Sequence, residues 1–148
     1  MKVTMMKKFV ISSCVAVLMC AAMPVLSADT ASDAAQVKLQ TSSIPNLLTV
    51  SAAAAGYKAK DLEIKTTTHQ ITLTVVNSQL NTKLTADREA EATKMVTALE
   101  NAMIDKPEFS KVSVIHVDYI ERKGKNSKAI QRIDFLQTPA RTFILHKT

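Results

Sequence analysis

His116 and Asp118 are the residues whose types and spacing come closest to a reactive pair. They stand two positions apart among alternating apolar residues, so a strand would place both side chains on one face of a sheet. His146, in a later strand-like run, would add a third metal ligand if the two strands lay side by side, since imidazole and carboxylate groups bind zinc. The alternative is a solvated sheet face. We favour the solvated face and predict no metal site and no cofactor. If a metal did bind, His116, Asp118 and His146 would be its candidate ligands.

A hydrolase would need a nucleophile, a base and an orienting group within hydrogen-bond reach. Ser113 falls on the opposite face of the predicted strand from His116, so the two side chains cannot meet without a bulge. The chain has no G-x-S-x-G, no phosphate-cradling glycine loop and no H-E-x-x-H, and only two glycines in all. We therefore predict no catalytic residues.

A cluster of basic residues follows the His116/Asp118 stretch and is the most pronounced local charge feature. It surrounds the sequence "KGKNSK" at the tip of a predicted hairpin and consists of Arg122, Lys123, Lys125, Lys128 and Arg132. One interpretation is a contact surface for an anionic partner. The other is a hairpin tip kept soluble by charge, with lysines that discourage edge-to-edge pairing of strands. No aromatic residue interrupts the cluster, which argues against single-stranded nucleic acid as its partner.

Hydrophobic periodicity predicts the elements that would position these residues. The stretch "DLEIKTTTHQITLTVV" alternates with period two, which is typical of a half-buried hairpin, and the runs 111–122 and 129–137 and the segment 141–148 predict further strands. Apolar residues recur at helical spacing in "TADREAEATKMVTALENAM", which predicts one long amphipathic helix. "IPNLLTVSAAAAG" suits a shorter helix closed by Gly56, or alternatively a strand. Residues 29–43 are small and polar and predict a flexible leader.

These elements predict a two-layer α+β sandwich in a single domain, 44–148. Short links between strands favour an antiparallel sheet of four to five strands, and the helices would cover one of its faces.

The N-terminal sequence predicts an exported protein. Lys2, Lys7 and Lys8 precede an apolar run without acidic residues, and Ala28 closes the segment, which is typical of a cleaved secretory signal peptide over residues 1–28. An uncleaved anchor is an alternative, although the run is shorter than the roughly 20 residues that span a membrane. A lipoprotein is another, although neither Cys14 nor Cys20 is well placed for lipid attachment.

Cleavage after Ala28 would remove both cysteines and three lysines. The remaining chain could form no disulfide and no thiolate metal site. It would carry 16 basic and 13 acidic residues, a net charge of +3. So mild a charge does not support nucleic-acid binding by the whole surface.

The order helix, hairpin, helix in "AAAAGYKAKDLEIKTTTHQITLTVVNSQL…DREAEATKMV" resembles that of the BON domains of exported bacterial proteins. The likeness covers about half of the predicted mature chain, which lacks the glycines usual in that hairpin and has an additional C-terminal hairpin. We carry no function across from this shared order.

The sequence therefore predicts a small periplasmic or secreted binding or protein-interaction module without enzymatic activity. Its partner would be an envelope protein or an anionic envelope component, and not nucleic acid, and no transmembrane segment would remain after cleavage. A metal- or ligand-dependent protein, or a small hydrolase, built on the His116/Asp118 face is the alternative function.

Overall fold

The computed structural model describes residues 28–147, with side chains from residue 35 onward. Two helices, α1 (Ala28–Ala55) and α2 (Thr85–Met103), accompany five strands. These are β1 (Leu62–Thr66), β2 (Gln70–Val76), β3 (Val114–Lys123), β4 (Asn126–Gln137) and β5 (Phe143–His146). The predicted signal segment before Ala28, with both cysteines, lies outside the described residues. None of the helices in the described part is long and apolar enough to cross a membrane.

The five strands form one sheet in chain order, β1-β2-β3-β4-β5, and the fold is α+β as predicted. The sheet is mostly antiparallel, as predicted, and among the described strands only β2 and β3 pair in parallel, with Ile71 opposite Ile115. Helix α2 causes this exception. Its 19 residues extend about 28 Å and return the chain to the end of the sheet where β2 began.

The hydrophobic core lies between the sheet and the two helices. Leu99 and the other apolar residues of the predicted α2 face are buried against alternate residues of the strands. From the sheet come Leu62, Ile64, Ile71, Leu73, Val75, Ile115, Val117, Tyr119, Ile133 and Phe135. Burial at every second position confirms the predicted strand periodicity, and it leaves the other face of the sheet uncovered by any described helix.

Helix α1 is longer than predicted. The stretch 29–43, expected to be a flexible leader, is helical, and Pro45 lies inside the helix rather than near its start. The side-chain amides of Gln36 and Gln40 donate to the carbonyl oxygen of Glu108, at 2.8 and 2.7 Å. Polar residues that gave no periodic signal are therefore held by long-range hydrogen bonds to the segment after α2.

The end of α1 follows the prediction. Gly56 adopts a positive φ of 75° directly after Ala55, and the amide of Tyr57 donates to the carbonyl oxygen of Ala52 at 2.9 Å. This is a Schellman-type C-cap, in which glycine takes the left-handed conformation at little cost.

Candidate binding site at the end of the sheet

The predicted His116/Asp118 face is the uncovered face of the sheet, and both residues are already paired with β4. Nδ1 of His116 lies 2.7 Å from Oδ1 of Asp134. The guanidinium group of Arg132 donates to both carboxylate oxygens of Asp118, at 2.7 and 2.8 Å. Such bidentate pairing is geometrically specific. It commits the Asp118 carboxylate to Arg132, so the two predicted ligands do not converge on one point.

The register brings His146 nearer to His116 than the sequence alone could show. His116 pairs with Asp134 across β3 and β4, and Asp134 pairs with His146 across β4 and β5. The three side chains thus form one row across the sheet, with His146 exposed. Even so, within residues 28–147 no group of three or more His, Cys, Asp or Glu residues is arranged to hold a metal ion.

The predicted basic cluster is divided by the structure. Arg122 and Lys123 end β3, Lys125 lies in the two-residue turn, and Lys128 lies near the start of β4. Arg132 stands apart, because it is held by Asp118 in the middle of the uncovered face. The hairpin turn is tighter than the predicted loop, since Lys123 pairs directly with Asn126 and Gly124 takes a φ of 59°.

Two further lysines, which the sequence pattern did not single out, lie near the basic residues of the β3–β4 hairpin. Lys58 and Lys60 lie in the loop between α1 and β1, more than sixty positions before Arg122. Together with Arg122 they line an open cleft of about 480 Å³. Asp61 and Glu91 line the same cleft. Only the fold brings this loop beside the β3–β4 hairpin, so linear charge clustering could not have found it.

Arg122 also lines a second depression, of about 570 Å³, together with Lys123 and Lys128. Arg122 therefore lies between two adjoining hollows, each of which carries two lysines. We call this surface the basic end. It consists of Lys58, Lys60, Arg122, Lys123, Lys125 and Lys128.

Carboxylates neutralise only part of the basic end. The guanidinium of Arg122 donates to Glu63 at 2.5 Å, and this hydrogen bond lowers the pKa of the Glu63 carboxyl and raises the pKa of Arg122. Lys123 lies 2.9 Å from Glu121, which raises the lysine pKa and lowers that of Glu121. Asp61 and Glu91 line the first cleft with Lys58 and Lys60, so the six cations of the basic end face four carboxylates, and the excess of positive charge is carried by the hairpin lysines Lys125 and Lys128.

Asn77 fixes the position of Arg122. Asn77 follows the last residue of β2 and has a positive φ of 54°, which is uncommon outside glycine. Its side chain accepts a hydrogen bond from the Arg122 amide at 2.6 Å and donates to the Arg122 carbonyl oxygen at 3.2 Å.

Tyr57 and Glu91, which line the first cleft, belong to a connected set of hydrogen bonds around the Glu91 carboxylate. Tyr57 and Tyr119 both donate to Oε1 of Glu91, at 2.9 and 3.0 Å. Tyr57 is also hydrogen-bonded to Ser78, whose hydroxyl oxygen accepts from the amide of Leu80. These bonds tie the loop after α1 to the loop after β2. The walls of the cleft are therefore held together by polar contacts, and the lysines remain at its rim.

The site lies where the two parallel strands β2 and β3 end. Comparison with protein-family profiles, with curated proteins and with solved structures finds no match for this chain.

Proposed function

We propose that the protein is a small exported binding module without enzymatic activity, and that its basic end binds an anionic partner of the bacterial envelope. The observation that carries the proposal is the position of Arg122 between two hollows that each add two lysines. Cations that converge on concave surfaces from separate loops favour binding of an anion over a role in solubility alone.

The proposal that the protein is exported rests on its N-terminal sequence. A basic start, an apolar run and Ala28 favour a cleaved signal peptide and a periplasmic or secreted mature chain. A mature chain without cysteine would then depend on its hydrophobic core for stability. The buried residues of the sheet and both helices supply that core.

Charge reversal tests the binding function. Lys60→Glu with Lys128→Glu changes one lysine in each hollow, while Lys38→Glu with Lys65→Glu alters net charge equally at exposed positions on α1 and β1. We expect the first variant to weaken binding of polyglutamate by roughly tenfold, which corresponds to about 1.4 kcal/mol. The control variant should bind like the unmodified protein, and both should keep its unfolding midpoint.

Salt provides a second arm of the same experiment. Electrostatic interactions between exposed charges are screened beyond about 8 Å at physiological ionic strength. Binding at the basic end should therefore weaken as the salt concentration rises. Equal binding by the two variants, or binding that salt does not change, would refute an electrostatic site at this end of the sheet.

A metal-dependent or hydrolytic function on the His116/Asp118 face is the second candidate from the sequence, and the row from His116 to His146 is what favours it. Metal content of the purified protein, and thermal shift against divalent ions, distinguish it from the binding module. Bound metal that is lost on His116→Ala would support this second function and contradict the first.

A further inference from the structure

Strand β4 is much longer than its outer neighbour. β4 runs over twelve residues, whereas β5 has four and pairs only with Asp134–Gln137. Residues 126–133 of β4 pair with β3 on one side, and no strand in the described part of the chain pairs with their other side. This outer edge continues the line of β5. Lys147 does not extend β5 along it, and its ammonium group lies 3.3 Å from Glu89 on α2.

An unpaired strand edge presents backbone N–H and C=O groups that can bind an extended peptide. A hollow of about 280 Å³ lies where the open edge meets β5, and it is lined by Ile133 and Leu145 together with the charged residues Glu89, Arg132 and Lys147. A side chain of an added strand would have room there. Main-chain hydrogen bonds along an edge and a hollow for alternate side chains are the two parts of recognition by strand addition.

The charge of the edge limits what it can accept. Lys125 and Lys128 are exposed at its start. A second copy of this chain would bring another edge that carries positive charge, and repulsion between like charges disfavours that pairing. Ile130 has no partner on β3, because Tyr119 pairs with Gln131 and Ile120 with Ala129. This bulge bends the strand and further disfavours pairing with a long, regular strand. A short acidic segment avoids the repulsion, and a flexible peptide can follow the bend at Ile130.

We propose that the outer edge of β4, residues 126–133, binds an extended acidic peptide segment of the partner protein as an added strand in line with β5. This inference rests on the proposed function and deepens it. It identifies the anionic partner of the basic end as an acidic polypeptide and names the strand edge that would form hydrogen bonds with its backbone.

The test uses a capped peptide of alternating glutamate and valine, as long as the open edge, with two versions N-methylated at alternate backbone amides. Methylation removes donors toward one edge of the peptide while its charge is unchanged. In an added strand, one set of amides faces β4 and the other faces solvent. We expect one version to lose about tenfold or more in affinity, because its hydrogen bonds to the edge of β4 are lost, and the other to bind like the parent.

Hydrogen exchange gives an independent result. The parent peptide should protect protein amides within 126–133 from exchange with solvent. Polyglutamate that is N-methylated at every backbone amide should not protect them. If both alternately methylated versions bind like the parent, or the parent peptide fails to bind while polyglutamate does, strand addition is wrong and the anionic site stands. If neither probe responds to Lys60→Glu with Lys128→Glu, the proposed function itself is wrong.

Discussion

The hydroxyl of Tyr119 lies 3.0 Å from Oε1 of Glu91, and the same hydroxyl lies 3.1 Å from the carbonyl oxygen of Arg88. Tyr119 is fully buried in the sheet, whereas Glu91 lines the cleft. Because Glu91 Oε1 also accepts from Tyr57, one carboxylate oxygen links the core to the loop that carries Lys58 and Lys60. The basic end is thereby attached by hydrogen bonds to a residue of the hydrophobic core.

The first prediction concerns the ionisation of the two tyrosines, which are the only ones in the chain. Burial, reinforced by the negative charge of Glu91, raises the pKa of Tyr57 to about 12 and also raises the pKa of Tyr119. Folding therefore favours the neutral phenols. The contribution of Tyr57 to stability is complete below pH 10, the ordinary pKa, and is lost as pH rises from 10 through 12, while that of Tyr119 starts to fall at the same pH and extends higher.

A pH titration of tyrosinate ultraviolet absorbance checks this prediction. We expect no transition at the ordinary tyrosine pKa while the protein stays folded. Glu91→Gln should move the Tyr57 midpoint downward, and burial should keep it above 10. Two tyrosines that titrate at the ordinary value in the folded protein would contradict the hydrogen-bonded arrangement.

The second prediction concerns the core. Leu99 is fully buried between α2 and the sheet, so Leu99→Ala should lower the free energy of unfolding by about 2–5 kcal/mol. Leu84→Ala is the matched control, because Leu84 is 74% exposed and its loss should cost no more than about 0.5 kcal/mol. Denaturant unfolding of both variants provides the measurement. Similar losses in the two would show that the core is elsewhere.

The third prediction concerns Asn77. Replacement by alanine removes both hydrogen bonds to Arg122 and keeps a Cβ at a positive φ, whereas glycine removes the bonds and relieves the strain. Asn77→Ala should therefore be less stable than Asn77→Gly by about 1 kcal/mol. Thermal and denaturant unfolding compare the two. A glycine variant less stable than the alanine variant would contradict the strain at this position.

The fourth prediction concerns processing of the N-terminus. We expect exported material to begin at Asp29 and its unfolding to be insensitive to reductant, since both cysteines precede that residue. N-terminal sequencing with mass measurement checks it. A chain that begins at a lipidated Cys14 or Cys20 would contradict the cleaved signal.

The sequence predicted the elements whose burial is periodic and local. The α2 face around Leu99 and the alternation from Ile115 to Tyr119 are confirmed, because period and polarity carry the signal for single elements. It missed the helix over 29–43, whose anchors are Gln36 and Gln40. Those contacts join residues about seventy positions apart and leave no local pattern.

The same limit applies to the site. The basic residues of the β3–β4 hairpin form a run in the sequence, but the lysines at 58 and 60 belong to a loop that is distant in the sequence. Arg132 does not contribute to the basic end, because it is paired with Asp118. Which cations converge depends on the parallel pairing of β2 with β3. That pairing follows from the return of the chain through α2, and the strands themselves did not indicate it.

Amide chemical shifts of the mature protein during titration with polyglutamate locate the anion-binding surface residue by residue. If the basic end binds the anion, the perturbed residues concentrate in 56–61, 77–82 and 121–130, and the perturbations diminish in the Lys60→Glu, Lys128→Glu variant. Perturbations centred on the row of His116, Asp134 and His146, with none near Lys60 and Lys128, would contradict it.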